Sequence, residues 1–399
     1  SRMNGRHFPF LLYWEHKRAR EENQEEKENM SILEVNHLKK IYTTRFSGNQ
    51  VQALSNLSFS VEEGEYVAIM GESGSGKTTI TGNTTNNSGI NQGVSVNSGV
   101  TLTNNAALGS ENGAITNSGT ITSNAGNIKG TVTNNNTLNL SGGTLSKAVS
   151  GSGTTNITGA VTSNSAISQA INIIAAGDLT ISAGNIGGAV TNAGDLILTG
   201  GTLSKVVSGA GLTTISGNTT NNGGINQAVK VNSGVTLANN AALGSANGAI
   251  TNAGTINSNA DYIKGTVANS GSLNLSGGTL SKAVSGSGTT NITGNTTNNA
   301  GINQGVNINN GVTLTNNAAL GSDSGKITNA GTINTNASNI KGTVTNNNAL
   351  NLSGGTLSKA VSGNGTTTIS GNTTNNAGIN QGVNAVSYTH LTLPTILRV

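Results

Sequence analysis

The chain has 399 residues, of which 9% are charged and 3% aromatic, with 57 glycines, two prolines and no cysteine. The missing thiols exclude disulfides, iron–sulfur clusters and thiolate metal sites, and no apolar run approaches the ~18 residues of a membrane helix. The formal charge of +4 does not point to nucleic acid, because between residues 81 and 384 the lysines are scattered singly and the only aromatic residue is Tyr262, whereas such binding needs a basic patch with stacking aromatics.

The composition is unevenly spread. Phe8, Phe10, Phe46, Phe59, Trp14 and eleven of the sixteen acidic residues precede residue 81, so the chain divides into two compositional parts. Residues 1–29 precede Met30 and end in EENQEEKEN, which reads either as a charged helix or as translated upstream DNA; the second is our expectation. FPFLLYW is too short and wrongly flanked for a secretory signal. From Met30 the alternating apolar residues of ILEV, LSFSV and YVAIM predict short strands, with VEEGE as a tight turn. YVAIM runs into GESGSGKTT at 71–79. That pattern, G-x-x-x-x-G-K-[ST], is a loop whose backbone N–H groups and lysine cradle nucleotide phosphates.

Residues 30–79 resemble the N-terminus of an ABC transporter ATP-binding subunit of the peptide or antimicrobial export type. The resemblance implies ATP and Mg²⁺ as ligands, a transporter membrane subunit as partner of the intact parent, and a cytoplasmic, membrane-associated location for that parent. It implies that Tyr42 stacks on adenine and that Gly71, Gly74 and Gly76 shape the loop, to which Ser73 and Ser75 also belong. Lys77 would reach the β and γ phosphates, Thr78 the Mg²⁺ and Thr79 the α phosphate. A P-loop, however, needs a helix beginning at its Lys-Thr to aim free N–H groups at the phosphates. Here Thr79 is followed by ITGNTTNNSGINQGV, rich in poor helix formers. Hydrolysis also needs an acid on Mg²⁺ and a residue positioning water, and no Asp-Glu pair follows the loop. We therefore expect no ATPase activity and at most weak nucleotide binding. The family's LSGGQ signature has a lure in LSGGT at 140–144, 275–279 and 352–356; its regular recurrence fits a strand and turn of a repeat instead.

After residue 80 the sequence repeats. Units of 77 residues occupy 81–157, 216–292 and 293–369, a shorter one of 58 occupies 158–215, and 370–384 is partial. Within the first unit, an apolar residue, small polar turn residues and T-x-[IL] recur at Val94, Ile115, Val132 and Val149, with Ile171 as the next equivalent. Short strands joined by Asn-Gly, Ser-Gly and Gly-Gly corners predict a mostly β chain, a right-handed parallel β-solenoid of about 15–16 rungs stacked at ~4.8 Å. The regular apolar spacing argues against the alternative, a disordered polar tract. This rod holds no His or Cys, and its acids are Glu111, Asp178, Asp195, Asp261 and Asp323, too few for paired-carboxylate or nucleophilic chemistry. Asp178 and Asp195, one rung apart, read as solvated corner residues or, alternatively, as ligands sharing a Ca²⁺. The recurring Lys129, Lys147, Lys264, Lys282, Lys341 and Lys359 read as fixed, solvated corners. The repeats resemble the passenger regions of bacterial autotransporters and other adhesin-like surface proteins. That resemblance implies an adhesive, non-catalytic role, host or bacterial surface ligands as partners, and a cell-surface or secreted location.

The junctions carry a further expectation. GKTTITGN at 76–83 parallels GTTTISGN at 365–372, and residues 385–399 break the last repeat and resemble a translated sequencing-adapter tail. We expect a chimera joining a truncated ATP-binding segment (30–80) to an internal piece of a solenoid (81–384). Both rod ends are expected to lack caps and to expose strand edges.

Overall fold

From Lys77 onward the chain alternates two or three β-branched or leucine residues with Gly, Asn and Ser, and the local outcome is a run of short strands broken at corners. In TLTN at 101–104 or TLNL at 137–140 every second residue points inward and is buried, as the period of 2 dictates. No strand of this length can bury its apolar face alone; each does so by stacking on the next. The computed structural model describes residues 33–43, 50–61, 69–70 and 76–386. Among them there is no α-helix, and the four helical pieces are three-residue 3₁₀ corners.

The described part is a parallel β-solenoid of about 18 turns, preceded by a small N-terminal fragment. At ~4.8 Å per turn the rod is about 85 Å long. Strands stack in register: Ile115 opposes Val132 and Val132 opposes Val149. Leu138 likewise opposes Thr155, which opposes Ile171. A single hydrophobic column therefore runs from Ile80 to Val361.

The turn count exceeds the expected 15–16 for two reasons visible in the register. The first turn begins at Lys77, because β4 (Lys77–Ile80; after β1, Leu33–Thr43, β2, Gln50–Val61, and β3, Ile69–Met70) already pairs in parallel with Gly93–Val96. Further, Val149 stacks on Ile167 and not on the expected Ile171, which stacks on Thr155 in a neighbouring column. Counting by the T-x-[IL] marker skipped such corners.

Sequence repeat and structural turn are out of phase. Ile225 leads through Leu243 to Ile263, whereas its equivalent 77 residues later, Ile302, is reached from Val229 by four steps, through Ile250, Val267 and Val284. Ile225 and Val229 lie on one continuous strand that turns a corner. A 77-residue unit thus closes four turns plus one corner, and the same motif moves to the next face of the rod in each successive unit.

Polar residues buried in the rod are bonded from turn to turn. Asn117 Nδ2 donates to Asn134 Oδ1 at 2.6 Å and to the Thr137 carbonyl at 2.8 Å, while its own Oδ1 accepts from Gly119 N–H. Asn86 donates to Asn104, which donates to Ser123, and the pattern recurs at Asn252–Asn269 and Asn329–Asn346. A buried amide would cost ~1–3 kcal/mol unpaired; stacking equivalent residues supplies the partner. Corners meet a tighter requirement. Gly143, in the LSGGT stretch, has φ +85, and a Cβ there would lie 2.2 Å from Asn124 Oδ1.

The N-terminal fragment covers the rod's first edge, contrary to the expectation of two uncapped ends. β1 and β2 form an antiparallel hairpin, β2 bridges to the strand Thr84–Asn86 through Ser60 and Thr85, and β3 pairs antiparallel with β4. Phe59 packs on the core, and buried Ser58 accepts from the N–H of His37, which takes φ +53.

Two substitutions test the stacking. Leu138→Ala, at a position with no exposure, should cost about 2–5 kcal/mol, and Asn117→Ala about 1–3 kcal/mol. Hydrogen exchange should show the loss confined to turns adjoining the substitution, since each turn touches only its neighbours; loss of protection spread evenly over the rod would contradict this architecture.

Candidate functional site

The nucleotide motif is the one sequence feature that names a chemistry. Gly71, Ser73, Gly74, Ser75 and the side chain of Tyr42 lie outside the described residues; the Tyr42 backbone pairs opposite Val51 in the hairpin. Gly76 takes φ +57 in open space. Lys77, Thr78, Thr79 and Ile80 form an extended strand, with Lys77 exposed, Thr79 half-buried, and Thr78 and Ile80 buried. No helix starts there.

Thr78 is the decisive residue. Its side chain is 3% exposed and its hydroxyl is hydrogen-bonded to the Gln92 carboxamide. The same bond recurs along the rod between Thr155 and Gln169, Thr213 and Gln227, Thr290 and Gln304, and Thr367 and Gln381, always 14 residues apart. With the Gln169 amide oriented so that its oxygen accepts from Thr155 and from Asn134 Nδ2, its nitrogen donates to the carbonyls of Asn134 and Ser150. GKTTI is therefore the first copy of the rod's own G-x-T-x-I element: Gly76, Thr78 and Ile80 match Gly153, Thr155 and Ile157.

This geometry does not fit a Mg²⁺-nucleotide. A threonine hydroxyl facing the core and bonded to Gln92 is not presented to a cation. β4 runs in register with Gly93–Val96 on one side and pairs with β3 on the other, so its N–H groups lie along a sheet. They do not converge on a phosphate as at a helix N-terminus.

The other charged candidates are dispersed. Asp178 and Asp195 stand directly opposite on adjacent turns, both exposed, and no group of three potential metal ligands occurs among the described residues. Ca²⁺ takes six to eight oxygens; two carboxylates on a flat sheet are a small part of that set. Lys147 reaches Glu111 at 3.8 Å and Lys359 pairs with Asp323, each spanning two turns. The Lys359 ammonium, through its hydrogen bond and charge, holds the Asp323 carboxyl below the ordinary carboxylate value. Each LSGGT is a strand end followed by a glycine corner and a new strand at Gly143, Gly278 or Gly355.

A feature not anticipated from the sequence is a shallow polar groove of about 470 Å³ on the third long unit. Asn316, Asn334, Thr335, Asn339, Asn351 and Ser353 are among its lining residues, and none of those lining it is charged. It forms where an outward ladder, in which Asn351 Nδ2 donates to Asn334 Oδ1 at 2.8 Å, meets a 3₁₀ corner at Ala337–Asn339. The only sequence signal was the recurrence of Asn at alternate strand positions.

The ABC transporter family model matches residues 54–116, a span from β2 into the first turns of the rod. The chain is 54% identical over 50 residues to the ABC transporter ATP-binding protein YxdL of Bacillus subtilis, covering 12% of this chain and 18% of that protein. It is 47% identical over 51 residues to the bacitracin export ATP-binding protein BceA of Halalkalibacterium halodurans, covering 13% and 19%. A third relative is the oligopeptide transport ATP-binding protein OppF of Streptococcus mutans, 62% identical over 32 residues, 8% of this chain and 10% of that one. The chain thus spans less than a fifth of the length of the first of these relatives. No solved structure matches it.

Thr78→Val should remove the Gln92 bond and lower the stability of the first turns by about 1 kcal/mol, read as faster exchange of the Val94 and Val96 amides. Unchanged exchange would show that Thr78 is not held in the core.

Proposed function

We propose that the chain acts as a non-catalytic structural rod, adhesive in character and belonging to a cell-surface or secreted protein, preceded by an incomplete ATP-binding segment. The observation that carries this reading is Thr78: the residue a nucleotide site needs for its metal serves the rod as the first of five equivalent core threonines. The scarcity of titratable side chains along the rod supports it, as does an outer surface of Asn, Thr and Ser suited to contacts with host or bacterial surface ligands.

The second reading is an ABC transporter ATP-binding subunit serving peptide or antimicrobial export, favoured by the intact loop sequence and by the relatives' names. In that reading Lys77 and the 71–76 loop hold ATP without completing a catalytic site, and the intact parent would work at the cytoplasmic side of a membrane beside its transporter subunit. Purified full-length chain should show no ATP turnover, and any binding of a fluorescent ATP analogue should be unchanged by Lys77→Ala. Lys77-dependent hydrolysis would establish the second reading, and Lys77-dependent binding without hydrolysis would establish a nucleotide-binding appendage.

The chimeric origin belongs to the same proposal. The shared Gly-x-Thr-x-Ile element gives two unrelated sequences a short common stretch at which to join. Single-molecule sequencing of source DNA across the codons for Ile80 and Thr81 should fail to recover the join; uninterrupted reads through it would establish a true fusion.

A further inference from the structure

The rod's outer surface has one place where the repeat departs from its own pattern by adding an aromatic side chain. Asn127 and Asn339 end the 3₁₀ corners of the first and third long units, and Asn339 lines the polar groove. The residue at the same place in the second long unit, 77 residues before Asn339, is Tyr262, the only aromatic residue between 81 and 384. Tyr262 is 39% exposed, so part of this large aromatic residue stays open at the surface instead of being enclosed in the core. Beside it Asp261 uses one carboxylate oxygen to accept from the Thr279 N–H at 2.8 Å.

The surface next to this corner is an amide ladder. Asn274 Nδ2 donates to Asn257 Oδ1 at 2.7 Å, Asn291 to Asn274 at 2.7 Å, and Asn307 to Asn291 at 3.0 Å. Each rung offers amide donors and acceptors at ~4.8 Å intervals, on a face that the sheet holds rigid. The groove on the third unit shows the shape that such a ladder makes with its 3₁₀ corner.

We propose that the Tyr262 corner and the Asn257–Asn274–Asn291 ladder form a binding site for a neutral oligosaccharide. The aromatic face takes the apolar face of a sugar ring, the amides exchange hydrogen bonds with ring hydroxyls, and the second oxygen of Asp261 accepts one more. A polyanion is disfavoured because Asp261 places a carboxylate at the corner itself. The proposal rests on the rod reading and gives it a ligand class. The groove of the third unit has the amides without the ring, so it is the weaker copy.

The phase shift between repeat and turn fixes how such sites are arranged. Each 77-residue step moves the motif one face round the rod, so the Tyr262 corner and the Asn339 groove open on different faces. One ligand chain lying along the rod cannot fill both, and a rod with two working sites would cross-link separate chains.

Calorimetry on the full chain with cellohexaose, maltohexaose, mannohexaose and chitohexaose, and with a hyaluronan hexasaccharide as the anionic probe, tests this. At least one neutral probe should bind with a stoichiometry of one. Tyr262→Asn, which installs the residue already present at the other three corners, should weaken that binding by about tenfold with unchanged thermal melting. Asn339→Tyr should raise the stoichiometry to two. No heat from any neutral probe at millimolar concentration, affinity indifferent to Tyr262→Asn, or tighter, salt-sensitive binding of the hyaluronan probe would each overturn the proposal. None of these results bears on the Lys77 test, so failure here and failure of the rod reading are separable.

Discussion

In-register parallel stacking is the constraint on which everything else in this chain depends. Each turn leaves its inward Val, Ile or Leu and its buried Asn or Thr half satisfied, and only an equivalent residue above and below completes them. Leu138 between Ile121 and Thr155, and Asn117 bonded to Asn134, are local instances of that rule. Stability is therefore distributed along the rod and cooperative only between neighbours. The same rule explains why a chain with 3% aromatic residues can hold a continuous core: no single contact needs to be large when a narrow column of aliphatic side chains is repeated turn after turn.

Stacking also decides the fate of the nucleotide motif. A P-loop lysine and threonine act through a helix that begins beneath them, and the residues following Thr79 are poor at forming one. An in-register strand at Gly93–Val96 offers β4 a ladder partner, and Gln92 offers Thr78 a hydrogen bond. The segment then follows the rod. Two chemical roles compete for one hydroxyl, and burial resolves the competition because a hydroxyl bonded inside a sheet stack cannot also face a solvated cation. The similarity of the N-terminal part to ABC transporter ATP-binding proteins and the strand conformation of Lys77–Ile80 are thus compatible: the first is a property of the letters, the second of their neighbours.

The mismatch between repeat and turn has its own consequence for surfaces. Because a 77-residue unit closes four turns and one corner, equivalent side chains wind round the rod, and the corner lysines are distributed among faces in the same way. A rod of this kind presents its recurring features in several directions. A unit closing a whole number of turns would have produced a single decorated face. The 58-residue unit, shorter by one turn, changes the spacing along the axis without disturbing the stacking, since a whole turn can be removed and the columns still meet.

Much of this was legible in the residues. The period of 2 in TLTN or TLNL, the Gly and Asn corners and the 77-residue recurrence determine strands, turns and a stacked β architecture, because side-chain alternation and positive φ are local properties. The lack of a helix after the loop was legible too, from the poor helix formers that follow Thr79. What the sequence left undecided is which strand meets which: that Val149 stacks on Ile167, that the first turn starts at Lys77, that β2 and β3 cover its edge, and that Thr78 faces Gln92. The groove beside Asn339 and the place of Tyr262 on an exposed corner belong to the same class. These are consequences of register between residues far apart in the chain, and register is settled only when all the turns are stacked together.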